Sequence, residues 1–148
     1  MFRAMRALSL PSYLRLTRAS AAYDIVVAAP LATPWTFALF HTQLSAVNGA
    51  LGAGPLPPFA PLHFLLTALL GTLVLLWSVC RFTGPSLRLG RFDAAGRLVF
   101  SAWLAWALAG GALPVLWLFL APELCWGVAQ WWPVTRAAGT QRPALAPA

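Results

Sequence analysis

Three carboxylate side chains, Asp24, Asp93 and Glu123, are the only acidic groups in this sequence of 148 residues. Glu123 lies inside WLFLAPELCWGVAQWW, residues 117–132, which is otherwise almost entirely apolar. Asp24 lies near the start of another apolar segment. Carboxyl groups held among apolar side chains can exchange protons with a substrate, one as a general acid and the other as a general base. Asp24 and Glu123 are therefore the candidate catalytic residues.

An acid in the middle of an apolar helix needs a partner, because a charge at the centre of a bilayer costs at least about 2.5–3.5 kcal/mol. Arg97 is the expected partner, since the small residues Ser101 and Ala105 follow it at helical spacing and let another helix approach closely. We expect a buried polar cluster formed by Tyr23, Asp24, Arg97, Glu123 and Gln130. This cluster is either a structural device that fixes helix register, or a ligand or proton site in which Glu123 titrates.

Two histidines, His41 and His63, are the candidate metal ligands. Both are expected near one surface of the protein, where neutral imidazoles could bind a metal ion or haem iron. The sequence has no HExxH, CxxC, GxSxG or Walker motif to support such a site or a soluble-enzyme mechanism. Packing histidines are the alternative, so no cofactor is assigned.

The composition predicts a membrane protein. Hydrophobic residues make up 60% of the chain and charged residues only 9%, whereas soluble proteins average about 45–50% and about 25%. The formal net charge of +7 does not indicate nucleic-acid binding, because the basic residues form three clusters separated by apolar stretches. All ten are arginines: Arg3, Arg6, Arg15, Arg18, Arg81, Arg88, Arg91, Arg97, Arg136 and Arg142.

The hydrophobic pattern predicts an all-α integral membrane protein with four transmembrane helices in one bundle. The expected helices cover about residues 21–40, 62–81, 93–111 and 113–132. Pro30 and Pro34 should kink the first of them, and Asp93 is expected to be the N-cap of the third. Gly110 and Gly111 predict a tight turn between the third and fourth helices.

The arginines also predict the orientation. With both termini in the cytoplasm every arginine lies on one side, and the outer loop, residues 41–61, carries no formal charge. Within that loop HTQLSAVNGALG predicts a short amphipathic helix on the outer surface. We expect a basic amphipathic segment at residues 1–19, the membrane domain at 20–133 and a flexible cytoplasmic tail at 134–148.

The lack of lysine and the abundance of Ala, Leu, Pro, Arg and Trp favour a bacterial inner membrane. The Arg-rich, acid-free leader leaves the mitochondrial inner membrane as the alternative. The favoured function is that of a small non-enzymatic protein, either an accessory subunit or a binder of an apolar molecule such as lipid or quinone.

Its expected partners are the lipid bilayer and either further copies of itself or a larger membrane complex. One alternative is an isomerase-like membrane enzyme with Asp24 and Glu123 as acid and base, which requires the two carboxyls to lie within about 12 Å of each other. The other alternative is a haem or metal protein through His41 and His63.

Overall fold

The computed structural model describes residues 7–111 and 113–135, and this part of the chain is mostly helical, which confirms the predicted all-α class. The five α-helices are α1 (Leu10–Ala28), α2 (Pro34–Ala50), α3 (Pro61–Thr83), α4 (Leu87–Ala109) and α5 (Trp117–Trp131). Short 3-10 helices follow α1 at Ala29–Leu31 and precede α5 at Pro114–Leu116. Two two-residue strands, β1 (Leu8–Ser9) and β2 (Val134–Thr135), pair in parallel.

The first predicted helix, residues 21–40, is wrong in its extent. The helix that contains Asp24 begins at Leu10, and the chain bends by 100° between Leu31 and Pro34 before α2 begins. Pro34 forces Thr33 into an extended conformation, and the Thr33 side chain then caps α2 by accepting a hydrogen bond from the Thr36 N–H. The proline kink was therefore predicted in the right place, but it separates two helices.

The predicted N-cap of the third helix is also corrected. Ser86 caps α4, because its side chain accepts a hydrogen bond from the Leu89 N–H at 3.1 Å. Asp93 consequently lies inside the helix and is buried. The turn after α4 is present as predicted, and Gly111 adopts a φ of 83°, which favours glycine.

Four helices pack side by side, with α1 against α3 and α4 against α5, while α1 also contacts α4 and α5. The described ends of the chain meet at one end of this bundle, where Leu8 pairs with Val134 and Tyr13 donates a hydrogen bond to the Gln130 carbonyl. Helices α1 and α4 run away from this end, and α3 and α5 run back toward it. The basic N-terminal segment is thus continuous with the bundle from Leu10 onward.

Helix α2 lies at the opposite end of the bundle and includes most of the loop predicted as an amphipathic helix. Its buried Asn48 donates to the Gly54 carbonyl at 2.7 Å and accepts a hydrogen bond from the Val115 N–H at 3.2 Å. Close packing at Gly71 also fixes the bend, because an added Cβ there would lie 2.6 Å from the Leu31 carbonyl carbon. These contacts tie the bend to α3, and α2 to the short 3-10 helix that precedes α5.

By length and composition, α3 is the one described helix that could cross a membrane alone. Residues Leu10–Leu31 and α2 pass the same test only together, as one broken span. Helix α4 carries Asp93 and Arg97, and α5 has 15 residues, or about 22 Å at 1.5 Å per residue. The described helices therefore support one or two spans, fewer than the predicted four.

Burial in the described residues is inverted relative to a soluble protein. Ten polar or charged residues are buried, against seven hydrophobic ones, and most of the leucines of α3 are exposed. The buried polar residues are Thr17, Ser20, Asp24, Asn48, Ser78, Arg81, Asp93, Arg97, Ser101 and Gln130. The interior of the bundle is thus more polar than its surface.

Candidate functional site

Five charged side chains meet inside the bundle, and we call them the ion-pair cluster. The cluster consists of Asp24 from α1, Arg81 from α3, Asp93 and Arg97 from α4, and Glu123 from α5. It includes every carboxylate side chain in the sequence. Each of the four packed helices contributes at least one charge, so the cluster ties all four of them together.

Arg97 contacts all three acids of the cluster. Its Nη2 donates to Asp24 at 2.6 Å, its Nε to Asp93 at 3.0 Å and its Nη1 to Glu123 at 3.0 Å. Asp93 precedes Arg97 by one helical turn, so both side chains lie on the same face of α4. The planar, forked guanidinium suits this arrangement, since its donors point toward several carboxylates at once.

Arg81 is the second cation of the cluster, and none of its surface is exposed. Its Nη2 is hydrogen-bonded to Asp24, and its Nη1 donates to Asp93 at 2.7 Å. Ser78, three residues earlier on α3, accepts a hydrogen bond from Nη2 at 3.2 Å. The guanidinium carbon also lies 5.8 Å from the centre of the Trp77 ring, within the range of a cation–π contact.

Neutral side chains complete the cluster. The Ser20 hydroxyl accepts hydrogen bonds from Arg97 at 2.8 Å and from the Gln130 amide at 3.1 Å. Trp77 donates its indole N–H to the Oδ1 of Asp93 at 3.1 Å. Both oxygens of Asp93 therefore accept hydrogen bonds, which is what a buried carboxylate requires.

The ion-pair cluster holds two guanidinium groups and three carboxylates, so its formal net charge is −1. Two oxygens in it have no hydrogen-bond donor among the described residues, Oδ1 of Asp24 and Oε1 of Glu123. Glu123 is also the most exposed of the three acids, with 19% of its side-chain surface accessible against 11% for Asp24 and 8% for Asp93. Acceptor capacity remains on these two side chains.

A groove between α3 and α4 leads to these two side chains. It consists of two cavities of about 370 and 390 Å³, and both of them are lined by Asp24 and Glu123. The other residues shared by the two cavities, Leu70, Val74 and Phe100, are apolar. The groove therefore has apolar walls from α3 and α4, and the ion-pair cluster forms its floor.

Three of the predicted cluster residues, Asp24, Arg97 and Glu123, lie in the ion-pair cluster. Gln130 is fully buried and reaches the cluster through Ser20. Tyr23 lies outside the hydrogen-bonded network and packs on Trp126 instead, with 6.0 Å between ring centres.

Sequence reasoning missed Arg81, Asp93, Ser20 and Trp77. Arg81 was predicted as the last residue of the second helix, at the inner surface of the membrane, but it is buried inside the bundle. The spacing of Trp77 and Arg81, and of Asp93 and Arg97, is i,i+4, which places each pair on one helix face. This i,i+4 spacing could have indicated the missed residues. A second indication was that each of the three acids in this apolar chain requires a positively charged partner.

His41 and His63 lie in an aromatic group away from the ion-pair cluster. His41 donates to the Pro57 carbonyl at 3.0 Å, and His63 accepts a hydrogen bond from the Ala60 N–H at 3.1 Å. Both rings pack on Phe59, with centres 5.1 and 5.4 Å away. Over residues 7–111 and 113–135, no group of three or more His, Cys, Asp or Glu side chains could hold a metal ion. The contacts of both histidines are those of packing residues.

No protein-family model, no curated protein and no solved structure matches this chain.

Proposed function

We propose that this chain is a multi-pass membrane protein whose bundle, formed by α1, α3, α4 and α5, lies in the bilayer. The inverted burial pattern supports this proposal, because a surface rich in exposed leucine and tryptophan is stable in lipid but not in water. Small and polar residues between the helices are also typical of membrane bundles. Helix α2 then lies across the outer surface.

The distribution of arginines supports a cytoplasmic location for both chain ends. Arg15 and Arg18 lie in the first half of α1, and Arg88 and Arg91 lie at the start of α4, near the end of the bundle where β1 and β2 pair. The positive-inside rule places this end in the cytoplasm. The bacterial inner membrane is the location that we propose, with the mitochondrial inner membrane as the alternative.

The groove between α3 and α4 is the proposed binding site for an apolar molecule, such as a lipid or a quinone. The observation that carries this proposal is the pairing of apolar walls with a charged floor that retains free acceptor oxygens. The volumes of the two cavities fall in the range of small-molecule sites. An apolar chain would lie along Leu70, Val74 and Phe100, with its polar head at Asp24 and Glu123.

A non-enzymatic role fits this arrangement, because most of the charge at the floor is already engaged in ion pairs. The protein would then present the bound molecule to a partner, or act as an accessory subunit whose exposed apolar surface contacts further copies or a larger membrane complex. Exposed tryptophans on this surface, including Trp35 and Trp106, are residues that often anchor such contacts.

Filling the groove tests this function. Gly96 lines the first cavity, and an added Cβ there meets no atom within 4 Å, so Gly96→Leu should occupy the groove without disturbing the fold. Gly49 on α2 has equally open surroundings, and Gly49→Leu is the matched control. Extracted membrane lipids should raise the melting temperature of wild type and of Gly49→Leu but not of Gly96→Leu. A lipid-dependent shift of equal size in all three proteins would refute the groove as the binding site.

A small membrane enzyme is the second candidate function, and one observation favours it. Asp24 and Glu123 are bound to the same guanidinium group, so their carboxyls lie well within about 12 Å of each other, and both line the groove. One of them could donate a proton to an apolar substrate while the other removes one, as in an isomerisation. Such an enzyme should catalyse exchange of substrate C–H hydrogen with D₂O, seen as a mass increase in a lipid extract. Asp24→Asn and Glu123→Gln should each abolish this exchange.

A further inference from the structure

The chemistry of the groove floor indicates which polar head it can accept. The floor is formed by Asp24, Asp93, Arg97 and Glu123, and the whole ion-pair cluster has one more carboxylate than guanidinium groups. An unbalanced negative charge in apolar surroundings is costly, and a ligand that brings a positive charge would remove that cost. The charge balance therefore favours a cationic head.

The hydrogen-bonding groups at the floor agree with the charge. All three nitrogens of Arg97 already donate to the cluster, and Arg81 has no exposed surface from which to reach a ligand. Two oxygen acceptors are free, Oδ1 of Asp24, a residue that is 9% exposed, and Oε1 of Glu123. Of the five N–H groups of Arg97, one on Nη1 has no acceptor among the described residues. A carboxylate, phosphate or quinone carbonyl would therefore meet two free acceptors and a single free donor here, whereas an ammonium head would satisfy both acceptors.

Aromatic rings line the same cavity and add to this preference. Trp77, Phe92 and Phe100 line this cavity. Trp77 and Phe92 each already have an arginine near one ring face, Arg81 and Arg88, so a ligand cation would contact Phe100 or the opposite faces of the other two rings. The faces of aromatic rings attract cations through their negative quadrupole, most strongly where water is excluded. Charge, free acceptors and aromatic lining thus point to the same chemical class.

We infer that the groove binds a long-chain primary amine, whose ammonium head pairs with Asp24 and Glu123 and whose chain lies between α3 and α4. This inference rests on the proposed function, since it requires that the groove hold an apolar molecule. It selects an amine over a phospholipid, because a phosphate group would be brought close to the same carboxylates. It also selects against an oxidised quinone, whose carbonyls can only accept hydrogen bonds.

Four probes that share a dodecyl chain and differ in their polar head distinguish recognition of the head from binding of the alkyl chain. Dodecylamine, dodecanol, dodecanoate and dodecyltrimethylammonium, each radiolabelled, are equilibrated with the full chain in phosphatidylcholine nanodiscs at pH 7, where the amine is protonated. The amount of each probe that is retained by protein-containing nanodiscs, minus the amount retained by empty nanodiscs, gives its affinity for the protein. Dodecylamine should bind about tenfold more tightly than dodecanol, and dodecanoate should bind most weakly. Dodecyltrimethylammonium should fall below dodecylamine, because it has the charge but no N–H donor.

The variants show where the head binds. Glu123→Gln should weaken dodecylamine binding about tenfold and dodecanol binding much less. A helical circular dichroism spectrum equal to that of wild type shows that the variant is folded. If that variant does not fold, the order of the four probes on wild type decides the inference alone. Equal binding of all four probes that is lost in Gly96→Leu would overturn the inference and leave the proposed function standing. Binding no greater than to empty nanodiscs, for every probe, would overturn both.

Discussion

Arg81 and Arg97 hold the three acids of the chain in different ways. Arg81 is completely enclosed and bridges Asp24 and Asp93, whereas Arg97 lies at the floor of the groove and also reaches Glu123. Asp93 accepts hydrogen bonds from both guanidiniums and from Trp77. The acids therefore divide into one that is fully engaged in the structure, Asp93, and one that is only partly engaged, Glu123.

This division predicts different costs of removing each charge. Asp93→Asn should lower the free energy of unfolding by about 3–5 kcal/mol, because both arginines lose a carboxylate that they contact inside the protein. Glu123→Gln should cost about 1 kcal/mol or less, since Glu123 makes one ion pair and is the most exposed acid. Unfolding of the purified proteins in mixed micelles, followed by circular dichroism, measures both values. Equal losses would mean that Glu123 belongs to the structural framework.

Some residues of the ion-pair cluster could be predicted from the sequence and others could not. Glu123 and Arg97 were predictable, because an acid inside an apolar helix requires a counter-charge and Arg97 has small neighbours that let helices approach. Arg81 was not, because an arginine at the end of an apolar run is typical of a loop at the membrane surface. Its burial depends on where α1 and α4 place Asp24 and Asp93, which no local pattern specifies.

At the scale of the elements, the bend between α1 and α2 is the largest difference from the predicted fold. Pro30 and Pro34 indicate a break, but the size of the bend depends on contacts between distant segments, such as the approach of Leu31 to Gly71. Helix α3 has the clearest sequence pattern, and its observed bounds, Pro61–Thr83, differ from the predicted ones by one and two residues. The length and apolarity of a segment predict the bounds of a helix well, whereas the angle between two helices depends on tertiary contacts.

The exposed face of α3 gives a prediction that distinguishes a helix surrounded by lipid from a helix surrounded by water. Leu69 near the middle of α3 and Leu62 at its start are about equally exposed, at 60% and 62%. Lysine at the centre of a span costs about 2.5–3.5 kcal/mol, whereas a lysine near the end can extend its amine to the membrane surface. Leu69→Lys should therefore greatly reduce the amount of protein in the membrane fraction, and Leu62→Lys should not. Equal membrane yields of the two variants would contradict the placement of α3 in lipid.

At the scale of the whole molecule, the short pairing of β1 with β2 brings residues near both chain ends together. Leu8 pairs with Val134, and Arg91 at the same end donates to the Trp132 carbonyl at 3.0 Å. The sequence predicted that the ends share one side from the positions of the arginines alone. The pairing of residues 126 positions apart could not be read from the chain, since a two-residue strand has no detectable period.

This arrangement predicts the topology in the cell. Fusions of green fluorescent protein to the N-terminus and to the C-terminus should both fluoresce, because that protein folds in the cytoplasm but not after export in unfolded form. Alkaline phosphatase inserted at Gly54, in the loop between α2 and α3, should be active, since this loop lies at the opposite end of the bundle. Fluorescence from only one of the two terminal fusions would contradict the four-span proposal.

Native mass spectrometry of the detergent-extracted protein tests the occupied groove most directly, because it reports the mass of whatever remains bound. Wild type and Gly49→Leu should each carry a small apolar molecule, released at higher collision energy, and Gly96→Leu should carry none. A wild-type protein that is free of any bound molecule, or a Gly96→Leu variant that retains the same adduct, would contradict binding in the groove between α3 and α4.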